Sequence, residues 1–253
     1  YSKGFNEIVK VWREVKNTVR LKRFIYSFFV YSMAVQTIML VAVYFGTKEI
    51  NWGKCSELNP SLVVFDKEEN NKEMADSCPF PFHATHITSI QNISSELEIL
   101  SSLVFSTRLK SLANKWKLLA DGPDLQFEGW NEIPTLSKRI GTNIENFEKA
   151  EYMIWRDPWM TAGSQTFIGS VLKKIGLSEY LQTSDSKYPT LNPRQTPNPS
   201  TFYLFSSEPF PFERYMDDLE RIGFNGALVD GEFFSWFGSR SYRMLSDLIK
   251  KAT

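Results

Sequence analysis

Three short apolar runs in the second half of the chain each end in a loop rich in polar and aromatic residues. Guanidinium, carboxylate and large aromatic groups in such loops suit a ring-shaped ligand with acidic or amide arms. The candidate ligand-binding residues there are Arg156, Trp159, Met160, Thr166, Ser207, Glu208, Phe210, Glu232, Trp236 and Arg240. Two further candidates, Glu68 and Glu69, follow an earlier apolar run. The chemistry predicted by this set is non-covalent binding.

The aromatic and acidic candidates each have a second interpretation. Trp155, Trp159 and Trp236 either stack on a ligand or fill the core beneath the loops. Glu208, which precedes a Pro-Phe-Pro stretch, either contacts a ligand or caps a helix N-terminus. Glu68 and Glu69 either reach the site or form a solvated face.

The arginine candidates are equally open to two roles. A guanidinium group pairs well with carboxylates. Arg156 and Arg240 therefore either hold carboxylates of a ligand or form ion pairs with Asp157, Asp230 or Glu232 of the same loops.

The runs that position these residues are typical of an α/β domain, in which strands alternate with helices. Ligands in open α/β sheets bind outside the carboxyl ends of the strands, so the three loops predict one site at that edge. The predicted strands are 59–66, 150–155, 201–205 and 226–230, and the predicted helices are 94–120, 167–175 and 241–251.

Composition and motifs exclude several classes of function. Lys plus Arg equals Asp plus Glu at 29 each, which gives no basic footprint for a nucleic-acid partner. The sequence lacks the G-x-S-x-G, P-loop and dinucleotide-binding glycine motifs, and we expect a protein that is not an enzyme.

The histidines and cysteines do not form a recognisable metal motif. His83 and His86 offer two metal ligands on one helical turn, but no third ligand is evident nearby. Cys55 and Cys78 form either one disulfide or two free thiols. We therefore expect no metal site and no cofactor.

The first part of the chain has a different character. Residues 24–45 form a run of 22 residues without a charge, long enough for a transmembrane helix, although a buried helix is the alternative. Basic residues before the run predict that its N-terminal side is cytoplasmic. Residues 1–23, with apolar residues at helical spacing, would form an amphipathic cytoplasmic segment.

The stretch RLKRFIYSFFVYSMAVQTIMLVAVYFGTKEI, with the GFNEIVKVW that precedes it, resembles a transporter of the major facilitator superfamily, in its vacuole-effluxer-like branch. There the matching piece is a membrane helix entered from the cytoplasmic side, in agreement with the charge bias. The resemblance covers about residues 1–50 and implies a fragment of a membrane transporter.

The segments IWRDPWMTAGSQTFIGSVLKKIGL, FYLFSSEPFPF and LVDGEFFSWFGSR occur in the order typical of a second family. They resemble the second lobe of ABC-transporter substrate-binding proteins of the helical-backbone kind, which carry corrinoids, haem or ferric siderophores. The upstream stretch GTKEINWGKCSELNPSLVVFDKEENNKE is similar to the end of the first lobe, and in the family the KEEN loop lies at the cleft.

This resemblance implies a bilobed α/β substrate-binding fold with a long backbone helix and a ligand held between the lobes. The first lobe would be truncated, because the family's opening signature does not precede Gly46. The implied domains are a remnant of the first lobe over 46–93, the backbone helix and linker over 94–149, and the second lobe over 150–253.

The resemblance also implies a partner and a location. The partner would be an ABC transporter permease, and the C-terminal domain would be periplasmic, anchored to the inner membrane through residues 24–45. Both families could supply the letters GTKEI at residues 46–50, which suggests either a gene fusion or a join made in sequence assembly. A single reading frame across the codons for residues 37–60 in one continuous DNA molecule would support the fusion.

Overall fold

The computed structural model describes residues 56–70, 72–141, 147–181, 184–191 and 197–252. The chain divides into two compact units, of which one comprises Tyr1–Ser61 and Cys78–Pro81 and the other Leu62–Ser77 and Phe82–Thr253. In the described part of the first unit, Cys78 is a free thiol whose Sγ lies 3.6 Å from the carbonyl oxygen of Phe80.

The predicted amphipathic segment 1–23 and the predicted transmembrane helix 24–45 lie outside the described residues. Among the helices that the structure does describe, none has the length and apolar character needed to cross a bilayer.

The second unit is an α/β structure with two sheets. β1 pairs with β2 in parallel, and a five-stranded sheet has the order β3-β7-β6-β4-β5, with β4, β6 and β7 parallel and the two outer strands antiparallel to their neighbours. The strands are β1 Val63–Asp66, β2 Phe82–Thr85, β3 Arg139–Ile140, β4 Lys149–Arg156, β5 Trp159–Thr161, β6 Thr201–Ser206 and β7 Gly226–Val229. The helices are α1 Lys72–Asp76, α2 Ile90–Leu103, α3 Thr107–Asp121, α4 Phe167–Leu172, α5 Met216–Ile222, α6 Gly231–Ser235 and α7 Ser239–Ala252.

The larger sheet is covered on both faces, which explains why its central strand β6 is apolar without interruption. All six residues of β6 are buried. Because successive side chains of a strand point to opposite faces, Phe202 and Leu204 pack in a core with Trp116 of α3, whereas Phe205 packs in a second core with Met216 of α5. Helix α5 therefore lies on the face of the sheet that carries Phe205. The strands β4, β6 and β7 were predicted correctly from the sequence.

The predicted single helix over 94–120 is wrong. The structure has two helices, α2 and α3, because Val104 ends α2 and Ser106 caps α3 by accepting a hydrogen bond from the Leu109 amide at 3.3 Å. Phe105 between them has a φ of 51°, in the left-handed region that a helix cannot contain. Apolar residues keep their helical spacing across this break, so the sequence pattern gave no sign that the helix ends there.

A buried lysine holds the C-terminus of α3. The side chain of Lys174 is 2% exposed, and its ammonium group donates to the carbonyl oxygen of Gly122 at 2.6 Å and lies 3.5 Å from Asp124 Oδ1. Helix C-termini leave carbonyl groups without a partner, and a cation there is favourable. Lys174 thus joins α3 to the turn that follows α4.

We expect Lys174→Met to lower the free energy of unfolding by about 2 kcal/mol, because it removes the buried charged donor of the half-buried Gly122 carbonyl group. Urea denaturation followed by circular dichroism measures the change. Lys173→Met, at the exposed neighbouring position, is the matched control and should change stability by less than about 0.5 kcal/mol. Equal effects of the two substitutions would contradict the role given to Lys174.

Candidate functional site

The carboxyl ends of β4, β6 and β7 lie at one edge of the sheet because these strands are parallel. The predicted loops therefore leave the same edge, as expected for a ligand site in an open α/β sheet. A buried hydrogen bond supports this edge: the Tyr152 hydroxyl donates to Ser206 Oγ at 3.0 Å. Burial raises the pKa of Tyr152, so its phenol stays neutral and keeps this proton.

One cleft gathers three of the predicted residues. Arg156 lies at the end of β4, with its guanidinium carbon 4.7 Å from the ring centre of Tyr215 and 5.8 Å from that of Trp159. Cations at such distances are attracted to aromatic faces. The cleft has a volume of about 500 Å³ and is lined by Arg156, Asp157, Trp159, Phe210, Tyr215, Ile222 and Phe224. We name it the aromatic cleft.

Trp159 belongs both to the core and to the aromatic cleft. Its ring lies nearly parallel to that of Phe212, at 6.3 Å and 11°, and 5.3 Å from that of Phe224, while the residue is only half-buried. Trp159 thus packs against the core and also lines the aromatic cleft. Trp155, which is 41% exposed, lies 5.5 Å from Phe210.

Phe210 and Tyr215 form the other wall of the aromatic cleft. Their rings are stacked at 5.3 Å and 28°, and Phe210 also contacts Phe212 at 4.7 Å. The sequence did not identify Tyr215 as a site residue, because it lies in a short 3-10 helix, Phe212–Tyr215, beyond the loop that was considered. Met160, on β5, is half-buried and pairs with Trp155 on β4.

The third loop holds an ion-pair cluster at the surface. Arg240 Nη2 donates to Asp230 Oδ2 at 2.6 Å, and Arg240 Nη1 pairs with Glu232. The structure therefore shows the internal ion pair that the sequence left open for Arg240. Trp236, in the same loop, is 61% exposed.

Ser207 and Glu208 follow β6, beside the start of α6. Ser207 Oγ accepts a hydrogen bond from the Gly231 amide at 2.9 Å. Glu208 does not cap the next helix, since Pro211 occupies the N-cap position there. Its Oε1 is buried, and the described residues offer it no hydrogen-bond partner. A buried carboxylate oxygen left in this state is costly, and a donor from a ligand would relieve that cost.

Thr166 has a structural role that the sequence did not separate from ligand binding. It is 3% exposed and is the N-cap of α4. Its hydroxyl accepts from the Gly169 amide at 3.0 Å and donates to the Gly163 carbonyl at 2.8 Å. Both bonds of the hydroxyl are thus used within the chain.

Glu68 binds side chains of its own chain. Its carboxylate pairs with Lys187, accepts from the Tyr188 hydroxyl at 3.3 Å and lies 3.6 Å from His86 Nε2. Glu69 is exposed, and its amide donates to Asp66 Oδ1 at 3.3 Å. Of the two residues, Glu69 therefore fits better the interpretation that these glutamates form a solvated face.

The two histidines have carboxylate partners of their own. His83 Nε2 lies 2.7 Å from Glu96 Oε2, while His86 faces Glu68. Within the described ranges, no group of three or more His, Cys, Asp or Glu side chains is arranged to hold a metal ion.

The Tyr188 phenol provides a test of the Glu68 contacts. Burial first, and then the Glu68 carboxylate, raises the pKa of Tyr188 to about 12. The pKa of Tyr188 in the folded protein thus exceeds its unfolded value of 10.0. The contribution of the neutral phenol to folding stability is therefore complete below pH 10 and is lost as the pH rises through about 12.

We expect Glu68→Gln to lower the pKa of Tyr188 without returning it to 10.0, since the phenol stays buried. NMR titration with ring-labelled tyrosine measures the change, and an unchanged titration of Tyr188 would contradict the contact. Glu69→Gln should lower the pKa of Tyr188 less, because Glu69 acts on it through its charge alone.

Comparison with known proteins gives different results for the two parts of the chain. Residues 1–65 match the family described as "Vacuole effluxer Atg22 like". This match confirms the resemblance expected for the first fifty residues and extends into β1, but it covers only about a quarter of the 253 residues. No curated protein sequence matches the chain.

Solved structures resemble most of the chain in fold. A possible iron-binding, periplasmic solute-binding protein from Staphylococcus epidermidis ATCC 12228 is 17% identical, covers 79% of both chains and has a TM-score of 0.53. An ABC transporter substrate-binding protein from Listeria monocytogenes EGD-e is 13% identical, covers 80% of both chains and has a TM-score of 0.51. The periplasmic vitamin B12 binding protein BtuF of Vibrio cholerae is 13% identical over 79% of this chain and 76% of its own, with a TM-score of 0.49. The chain thus has a mixed α/β fold that resembles the bilobed binding proteins.

Proposed function

We propose that the chain binds a metal chelate (a corrinoid, haem or a ferric siderophore) non-covalently, as the substrate-binding component of an ABC importer. The observation that carries this proposal is the aromatic cleft, in which Arg156 lies against Tyr215 and Trp159 at the carboxyl edge of the sheet. The fold supports the proposal, because solved structures that share it include substrate-binding proteins.

The chemistry of the aromatic cleft agrees with a flat, partly acidic ligand. Trp159, Phe210 and Tyr215 offer ring faces, and Arg156 offers N–H donors beside them. The volume of about 500 Å³ lies within the range of small-molecule sites. Glu208 and Trp236 would take part from the neighbouring loops, the first by accepting a hydrogen bond and the second by stacking.

The implied partner is an ABC permease, and the implied location is outside the cytoplasm. The neighbour from Staphylococcus epidermidis is described as possibly iron-binding, which supports a ferric ligand among the alternatives. The proposed membrane anchor at residues 24–45 depends on the sequence pattern and on the family match over residues 1–65.

Spectral titration of the full chain tests the proposal. We expect haemin, cyanocobalamin or a ferric hydroxamate to shift its absorption spectrum when added to the protein, with half-saturation below about 10 µM. Lysozyme at equal concentration measures non-specific adsorption. If none of the three probes shifts at tens of micromolar, the proposal fails.

The match over residues 1–65 favours a second candidate, a fragment of a major facilitator superfamily transporter joined to a binding-protein remnant that does not bind. The two candidates differ in the titration, because the second predicts a folded C-terminal region with no spectral shift. A detergent requirement for solubility would support the membrane segment under either candidate.

A further inference from the structure

The turn between α2 and α3 carries one almost fully exposed apolar side chain and, beside it, several that are about half exposed. Phe105 is 94% exposed, and Leu103 and Val104 are 46% and 45% exposed. Ile99, one turn back along α2, is 45% exposed. We name these four residues the apolar tip. Exposed apolar residues grouped in this way are more informative than exposed residues scattered singly.

The apolar tip has a fixed conformation. The Ser106 amide donates to the Ser101 carbonyl at 3.0 Å, and Ser101 Oγ donates to the Ser106 carbonyl at 3.1 Å. These bonds close the turn across Phe105, whose φ of 51° is unfavourable for a residue with a side chain. The chain therefore holds an aromatic ring outward on a closed turn, in a conformation that a glycine would adopt more easily.

The charged residues that follow the apolar tip are basic. Arg108 and Lys110 are both exposed, and no acidic residue occurs between Leu100 and Leu112, whereas the exposed Glu98 precedes Ile99 at the far end of the apolar tip. Apolar side chains flanked by basic ones are typical of protein surfaces that enter the interface of an anionic bilayer.

We propose that the apolar tip inserts into the interface of an anionic phospholipid bilayer, with Phe105 as the leading side chain and Arg108 and Lys110 at the level of the headgroups. The contact would hold α2 and α3 against the membrane. This inference is independent of the proposed ligand and of any attachment through residues 24–45.

A fluorescent label beside the apolar tip tests the contact locally. In the full chain with Cys55→Ser and Cys78→Ser, the substitution Ser102→Cys places a thiol for an environment-sensitive nitrobenzoxadiazole label at an exposed position. We expect a blue shift of its emission with vesicles of phosphatidylcholine and a minority of phosphatidylglycerol. The same label at Leu118→Cys, which is 76% exposed and lies about 20 Å along the helices, should not shift.

Two sets of substitutions separate the contribution of the Phe105 ring to membrane binding from that of the two basic residues. Phe105→Ser should lower the ratio of inserted to exposed label by roughly tenfold or more, since one aromatic side chain leaves the lipid. Arg108→Gln with Lys110→Gln should lower it by about fivefold per charge with anionic vesicles and change it little with pure phosphatidylcholine. Phe105 is almost fully exposed, so its replacement leaves the core intact, which thermal unfolding verifies.

Three outcomes would overturn the proposal. The first is the lack of a shift at position 102 with anionic vesicles, and the second is an equal shift at position 118. The third is a shift that needs no vesicles and grows with protein concentration, which would identify a second copy of the chain as the partner of the apolar tip.

Discussion

Gly226→Ala is expected to lower the free energy of unfolding by about 3 kcal/mol or more, a large share of the stability of an ordinary domain. Gly226 begins the buried strand β7 and pairs with Tyr203 on β6 and Ile140 on β3. A Cβ atom at this position would lie 2.0 Å from the Tyr203 carbonyl oxygen and 2.8 Å from its carbon. Backbone atoms of a paired strand cannot move aside cheaply, so β6 and β7 must separate locally.

Chemical denaturation monitored by circular dichroism measures this effect. Gly238→Ala is the matched control, because a Cβ at Gly238 has no other heavy atom within 4 Å. We expect Gly238→Ala to change stability by less than about 1 kcal/mol. If Gly226→Ala is as stable as that control, the pairing of β6 with β7 in this register is wrong.

Much of the fold could be predicted from the sequence where one signal dominates. β6 was identified because a strand buried on both faces is apolar throughout, as Phe202 and Phe205 illustrate. β5 was missed, because the three residues Trp159–Thr161 are too few to show a period. The break between α2 and α3 was missed for a different reason: it depends on Phe105 adopting a left-handed conformation that sequence patterns seldom indicate.

The sequence predicted one site formed by three loops, and the aromatic cleft contains predicted residues from two of them. The predicted alternation of strands and helices favours parallel strands, whose carboxyl ends share one edge of the sheet. The partners of individual side chains did not follow. Arg156 lies against the aromatic ring of Tyr215, whereas Arg240 pairs with Asp230 and Glu232. The sequence placed both arginines in loops after strands, whereas Arg156 is the last residue of β4 and Arg240 lies in the first turn of α7.

Arg156→Met is expected to weaken the binding of haemin by roughly tenfold to a hundredfold, because hydrogen bonds to a charged group contribute about 1.5–3 kcal/mol. Methionine fills much the same volume against Tyr215 and Trp159, so the aromatic cleft should keep its shape. Haemin carries two carboxylate arms that a guanidinium can bind, whereas cyanocobalamin carries amide arms. We therefore expect cyanocobalamin to lose affinity by less than about threefold, well under 1 kcal/mol.

Absorption titrations of the two variants with both probes measure these changes, and Arg214→Met is the control. Arg214 is exposed in the 3-10 helix that carries Tyr215 and does not line the aromatic cleft. Its replacement alters the net charge equally and should leave both affinities unchanged. An equal loss for haemin and cyanocobalamin in Arg156→Met would point to a distorted cleft. An unchanged affinity for haemin would remove Arg156 from the site, because the proposal gives the guanidinium beside Tyr215 and Trp159 the role of binding the haemin carboxylates.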